Sequence, residues 1–128
     1  MPPLLQAALD ARLRAHAPFS HFLVGAAIEA EDGRIFAGCN VENSSYGLTI
    51  CAERTAIFRA VAEGAKRFTR IAVVADTPKL TPPCGACRQV LWDLCGDLEI
   101  ILFNLQGESA SFRLKDLLPH AFDATFLN

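Results

Sequence analysis

The chain has 128 residues, a formal net charge of −2, 52 % apolar residues and 5 cysteines. That length predicts one domain spanning residues 1–128. Interspersed acids and bases exclude a basic nucleic-acid track. The absence of any run of 18 apolar residues excludes a membrane span, and an odd cysteine count excludes a simple disulfide framework. The N-terminus lacks a signal-peptide layout, so a reducing, cytoplasmic setting is expected, where cysteines more often serve metals or catalysis. Counting the 8 glycines takes the apolar share further above the roughly 45–50 % of ordinary domains. That excess is expected to be covered by other copies of the chain.

Taken in chain order, residues 3–16 read as a helix, with Leu5, Ala8, Leu9 and Leu13 on one face and Pro18 ending the pattern. Residues 22–30 form an apolar strand, Glu31-Asp32-Gly33 a hairpin turn and residues 34–39 the partner strand. The polar stretch 40–50 is a loop. A helix is expected from about Cys51 to Gly64, where the pairs Ala56/Ala60 and Ile57/Val61 share faces. Ile71–Ala75 is continuously apolar, as in a buried parallel strand. Residues 76–83, with three prolines, are loop. A second helix runs from Cys84 to about Leu94, Leu98–Phe103 is a strand, 109–113 an edge strand and 114–118 a short helix before Pro119. Strands and helices alternating after a hairpin predict an α/β fold with a mixed sheet covered by helices.

Two cysteine motifs open the two main helices: Cys51-Ala52-Glu53 and Pro83-Cys84-Gly85-Ala86-Cys87. Three thiolates are one ligand short of a closed tetrahedral zinc site, and catalytic zinc sites keep that position for water. A glutamate two residues from one ligand, Glu53, is then placed to move protons on and off that water. Residues two apart diverge on an ideal helix, so Cys51 must sit at the cap, outside helical geometry, for the Cys51 and Glu53 side chains to converge. Helix N-termini favour the negative charge of a three-thiolate zinc centre. Arg54 and Arg88, in the first turns, can donate to the sulfurs. A C-x-x-C pair alone is more commonly a structural zinc half-site or a redox pair, and the upstream Cys51-Ala52-Glu53 shifts the balance to catalysis. Cys39 and Cys95 read as packing, and His16, His21 and His120 as surface or packing residues. This is the arrangement of the zinc deaminases, with cysteine replacing the first histidine.

The chain resembles the small, homotetrameric-type cytidine deaminases over residues 4–122. The resemblance rests on Ala17-Pro18-Phe19-Ser20-His21-Phe22-Leu23-Val24-Gly25-Ala26-Ala27, on Gly38-Cys39-Asn40-Val41-Glu42-Asn43-Ser44-Ser45-Tyr46-Gly47-Leu48-Thr49, on the two cysteine motifs with Arg54-Thr55-Ala56 and Arg88-Gln89-Val90-Leu91, and on Leu117-Leu118-Pro119 with Phe122. It implies a single-domain α/β/α sandwich around a mixed, mostly parallel five-stranded sheet. The reaction implied is zinc-dependent hydrolytic deamination of cytidine and deoxycytidine to the uridine counterparts and ammonia, in pyrimidine salvage. Cys51, Cys84 and Cys87 would hold one Zn²⁺ per subunit, with Glu53 as proton shuttle. Phe22 would pack on the pyrimidine, Asn40 and Glu42 would bond the ribose 3′-hydroxyl, and the backbone of Ala52 would meet the base. Arg54 and Gln89 would donate to the sulfurs. In a homotetramer, Tyr46 and Phe122 would reach a neighbour's site.

The chain departs from the family pattern at His16 and Phe19, where tyrosines are frequent, and at Pro82, where a small polar residue is usual. These positions bear on rate or specificity and leave the cysteines and Glu53 intact. Two other readings stay open on the sequence: deamination of a related aminopyrimidine nucleoside such as blasticidin S, and a non-enzymatic structural-zinc module, which would need a fourth protein ligand. No nucleic acid or membrane is expected as a partner.

Overall fold

The computed structural model describes residues 1–127. Its elements follow the expected order: α1 (Pro3–Arg12), β1 (Val24–Ala30), β2 (Ile35–Cys39), a 3₁₀ turn at Tyr46–Leu48, α2 (Ala52–Ala62), β3 (Phe68–Ala75), α3 (Gly85–Cys95), β4 (Glu99–Phe103), β5 (Ser109–Arg113), α4 (Leu114–Leu117) and a terminal 3₁₀ turn at Ala124–Leu127. α1 ends four residues short of the expected boundary. Three successive i→i+3 bonds, from the N–H groups of Leu13, Arg14 and Ala15, tighten its end. His16 then leaves to pair with the 40–42 backbone: its N–H donates to the Asn40 carbonyl (3.0 Å) and its carbonyl accepts from Glu42 N–H (2.8 Å). The competing backbone partner, more than Pro18, stops the helix.

The sheet has five strands in the order β2-β1-β3-β4-β5. It is mixed, as expected, but the expectation of a mostly parallel sheet is corrected: only β3 and β4 pair in parallel, while β1–β2, β1–β3 and β4–β5 are antiparallel. The crossover through α2 does return β3 in the same direction as β2. The hairpin strand β1, however, lies between them, so β3 meets an antiparallel neighbour. Helices cover both faces. Ala26, Ile28, Ile71, Val73, Ile100 and Leu102 pack with Ala56, Ile57, Ala60 and Leu91 of α2 and α3. Ala27, Ala72, Val74 and Phe103 pack with Leu4 and Ala8 of α1. Two covered faces explain why β3 reads as a continuous apolar run instead of an alternation.

Two glycines set how closely the helices approach. A Cβ on Gly38 would lie 2.5 Å from Ala56 N and 2.9 Å from the Ala52 carbonyl, so the first turns of α2 rest directly on β2. A Cβ on Gly25 would lie 2.0 Å from the Ala8 carbonyl, which seats α1 in the same way on the opposite face. These contacts are with backbone, which cannot rotate aside. Gly38→Ala is therefore expected to lower unfolding free energy by about 1–3 kcal/mol, the usual cost of overpacking. Gly47→Ala, with open space around its Cβ position, should leave it unchanged. Urea unfolding of the two variants checks this, and equal midpoints would show that α2 is free to shift.

Candidate metal centre and adjoining pocket

β2 and β3 run in the same direction, so α2 and α3, which follow them, both begin at the same end of the strands. Cys51 caps α2 with extended backbone (φ −72°, ψ 156°) and Cys84 caps α3 likewise (φ −68°, ψ 169°). The expectation that Cys51 stands outside helical geometry is met. Neither side chain caps its own helix, which leaves both sulfurs to face each other and Cys87, one turn into α3.

The Sγ atoms of Cys51, Cys84 and Cys87 all lie within 4.8 Å of one another, with Cys51 and Cys84 at 3.7 Å. A tetrahedral zinc with bonds of about 2.3 Å separates its sulfurs by roughly 3.8 Å, so the spacing and the soft donors fit that ion. Among the described residues, no fourth histidine, cysteine or carboxylate joins the cluster. Cys95 is half-buried against the core, and burial pushes its thiol up to about 12. Cys39 is half-buried on β2 and its thiol is likewise raised by burial. His16, His21 and His120 are exposed.

The cluster is strongly polarised. Hydrogen bonding from Cys87, then from Arg54 and Cys84, pulls the Cys51 thiol down to about 5. The same contact with Cys51, with burial, drives the Cys87 thiol well above its ordinary value. Arg54 Nη2 donates to Cys51 Sγ at 3.6 Å, and its Nε is buried without a partner among the described residues. Arg88, expected to donate to a sulfur, does not. Its Nε donates to the Pro83 carbonyl (2.8 Å) and Nη1 to the Leu117 carbonyl (2.7 Å), which ties α3 to the loop before it and to α4. Gln89 Nε2 donates to the Phe122 carbonyl (2.8 Å). Glu53, only 4 % exposed, has its carboxyl raised to about 7, chiefly by burial and further by the Cys51 charge.

A pocket of 260 Å³ opens on the cluster. Cys51, Ala52, Glu53 and Cys84 form its floor, Val24, Val73 and Pro82 its apolar walls, and Phe22, Asn40, Glu42, Ser20, Thr49 and Thr81 its remaining sides. A larger cleft of 600 Å³ between the 78–82 loop, β5 and α4 holds no metal-ligand cluster among the described residues. The sequence reading treats Asn40 and Glu42 as open acceptors, whereas the fold already engages both. Asn40 is buried, its Oδ1 accepts from Val24 N–H (2.9 Å) and its Nδ2 donates to the Phe22 carbonyl (2.7 Å). Glu42 Oε1 accepts from the N–H groups of Phe19 (3.0 Å) and Ser20 (3.1 Å), and Oε2 from the Ser20 hydroxyl. Ser20, Thr49 and Thr81 escaped the sequence reading, since single hydroxyl residues in loops carry no distinguishing spacing.

Tyr46 and Phe122 stay away from the metal cluster in the single chain. Tyr46 is 74 % exposed and meets Phe19 edge-on at 5.6 Å between centroids, beside a cleft that shares Ser20, Glu42 and Thr49 with the main pocket. Phe122 stacks on Phe126 at 5.5 Å and lines a groove along α3 with Gln89, Val90 and Leu94.

Residues 3–102 match the family described as the cytidine and deoxycytidylate deaminase zinc-binding region. A cytidine deaminase of Halalkalibacterium halodurans is 51 % identical over 126 residues, covering 98 % of this chain and 96 % of that one. The solved cytidine deaminase of Burkholderia pseudomallei superposes with a TM-score of 0.90 at 52 % identity, covering 95 % of this chain and all of that one. That of Mycobacterium tuberculosis gives 0.80 at 41 % identity, covering 93 % and 94 %. The three-cysteine cluster and the matched zinc-binding region together identify zinc as the metal.

Arg54 is the one cation bonded to a ligand sulfur among the described residues. Arg54→Ala is expected to weaken zinc retention about 10-fold or more, the usual cost of losing a group that supports a ligand. Zinc transfer to a colorimetric chelator measures this, and an unchanged rate would remove Arg54 from the centre's support.

Proposed function

The chain belongs to the cytidine and deoxycytidylate deaminase family, and from that membership we propose that it hydrolyses the exocyclic amine of cytidine and deoxycytidine, giving uridine and deoxyuridine with release of ammonia. The observation that carries this reading is a buried carboxylate, Glu53, beside three zinc-binding sulfurs at the floor of a pocket whose other charged lining group, Glu42, is also acidic. Bound zinc lowers the pKa of a water from 15.7 towards about 7 and so supplies a nucleophile at neutral pH.

The chain's own residues supply the rest. Glu53, buried so that desolvation raises its carboxyl, is placed to accept and release a proton. Its carboxylate oxygen takes one proton as water is activated and delivers it to the ring nitrogen beside the reacting carbon. The departing amine receives the next. Phe22 and the apolar walls provide a face for a flat ring, and the Ala52 backbone meets its polar edge. Pro82 keeps the carbonyl needed near the exocyclic amine while fixing the loop that bears it.

Charge argues for the nucleoside over its phosphate. Among the described residues, no lysine or arginine lines the main pocket or the adjoining cleft at Tyr46. A 5′-phosphate would find no cation among these lining residues to meet it.

The whole chain, residues 1–128, is taken as one catalytic domain acting in pyrimidine salvage in the cytoplasm. No helix is long and apolar enough to cross a membrane among the described residues, and the interspersed charges favour a free nucleoside over a nucleic-acid strand. A homotetramer is supported by apolar side chains left exposed on the helical layer, Phe58 and Val61 on α2 and Leu94 on α3. It would also give Tyr46 and Phe122 a neighbouring site to reach.

The deciding experiment follows the fall in ultraviolet absorbance of cytidine. The parent should consume it with kcat/KM at least about 100-fold above that for cytidine monophosphate, given the cost of an unpaired buried charge. Glu53→Gln should retain zinc and lose about 10²–10⁴-fold in kcat. A zinc-loaded parent inactive on cytidine, or a Glu53→Gln variant with more than about a tenth of parental activity, overturns the assignment. Sedimentation equilibrium should give a particle of four 13.9 kDa chains, and a monomer would exclude shared sites.

A further inference from the structure

We propose that Ser20 is the positioning residue of the pocket's sugar end: its hydroxyl joins the Glu42 carboxylate to the Phe22 platform and leaves one carboxylate lone pair open for a sugar hydroxyl. The proposal rests on the nucleoside reading above and extends it to a residue whose side chain that reading leaves without a role.

A carboxylate offers about four lone-pair sites. On Glu42, Oε1 is filled by the N–H groups of Phe19 and Ser20. Oε2 accepts from the Ser20 hydroxyl, which leaves it one open direction. The same hydroxyl oxygen accepts from Phe22 N–H at 3.0 Å. Ser20 thus both donates to Glu42 and accepts from Phe22. The Phe22 carbonyl is held by Asn40 Nδ2 at 2.7 Å, and Asn40 Oδ1 holds Val24 N–H at 2.9 Å. One connected set of bonds therefore links the acid, the aromatic ring and the first residue of β1.

The backbone conformation is consistent with this. His21, between Ser20 and Phe22, has φ 58°, a region that costs a residue with a Cβ and persists where its surroundings over-determine it. His21 N–H is bonded to the Ala17 carbonyl at 3.0 Å, which turns the chain so that the Ser20 hydroxyl reaches back to Phe22. Hydrogen bonds to its charged form, with that from the Ser20 hydroxyl foremost, hold the Glu42 carboxyl below its ordinary value. It remains an acceptor throughout the neutral range. Without the hydroxyl, Oε2 has two open directions and the carboxylate hinges on Oε1 alone.

The test measures equilibrium binding of cytidine and 3′-deoxycytidine by calorimetry to zinc-loaded Glu53→Gln protein, with Ser20 intact, Ser20→Ala or Ser20→Thr. With Ser20 intact, cytidine should bind about 10-fold or more tightly than 3′-deoxycytidine, as expected for a hydrogen bond to a charged group. Ser20→Ala should bring the two affinities within about threefold of each other, chiefly by weakening cytidine. Ser20→Thr, which keeps a hydroxyl, should restore most of the preference. A hydroxyl that only shapes the loop would weaken both ligands equally and leave the ratio unchanged, which overturns the proposal. Cytidine binding unaltered by Ser20→Ala overturns it alone. Failure of both ligands to bind with Ser20 intact overturns the nucleoside reading and this proposal with it.

Discussion

Three sulfurs from two helices have to meet within a few ångströms, and the rest of the architecture can be understood from that requirement. Cys51 and Cys84 are 33 residues apart in sequence and 3.7 Å apart at Sγ. No local interaction closes such a gap. The sheet closes it by carrying β2 and β3 in the same direction, so that the helix after each begins at the same end of the strands. Fine adjustment then comes from packing. Gly38 lets α2 sit with its first turns against β2, and Arg88 fastens α3 to the Pro83 carbonyl immediately before Cys84. A helix displaced by the width of one methyl group would spread the sulfurs beyond bonding distance of a single ion. Close-packed interiors resist such shifts, and the core on this side is built mainly of alanine and branched aliphatic side chains that fill it.

The second constraint is charge. Three thiolates and a carboxylate crowd one end of a pocket, and the protein supplies little positive charge of its own there. Two helix N-termini and Arg54 supply what there is. Glu53 responds as a buried acid near anions should, with a carboxyl raised to about 7. The sulfurs respond by sharing protons, Cys51 becoming more acidic as Cys87 becomes less so. A dication relieves this arrangement by displacing those protons, so metal affinity and proton uptake are linked in the site.

Much of this was legible in the sequence because the controlling features are local. The spacing Cys51-x-Glu53 demands a cap, and the Cys51 backbone is extended as that demands. The continuous apolar character of Ile71–Ala75 announces a strand covered on both faces. What was not legible depends on which segments meet in space. The strand neighbours of β3 depend on the hairpin slipping between β2 and β3, which no periodicity encodes. The end of α1 depends on His16 finding the 40–42 backbone. Arg88 occupies a first helical turn just as Arg54 does, and only the position of the Leu117 carbonyl decides that it faces away from the sulfurs. Asn40 and Glu42 look alike as loop acceptors. In the fold both line the pocket and both are already bonded to the 19–24 segment, Asn40 buried and Glu42 half-buried with one direction left free.

The pocket divides into two halves. The chemical half stands on helices, where Cys51, Cys84, Cys87 and Glu53 are fixed by caps and by burial. The half proposed for recognition stands on loops, where residues 17–24 and 40–50 are joined by backbone pairing and by the bonds of Ser20, Glu42 and Asn40. Loops tolerate substitution better than the elements they connect, so the ligand's outer end is the part of this pocket open to change, whereas the metal end is not. The departures from the family pattern fall accordingly. Phe19 lies on the recognition loop, His16 at its root and Pro82 on the rim. None touches a cap, and each bears on how a ligand is seated before it bears on whether the chemistry proceeds.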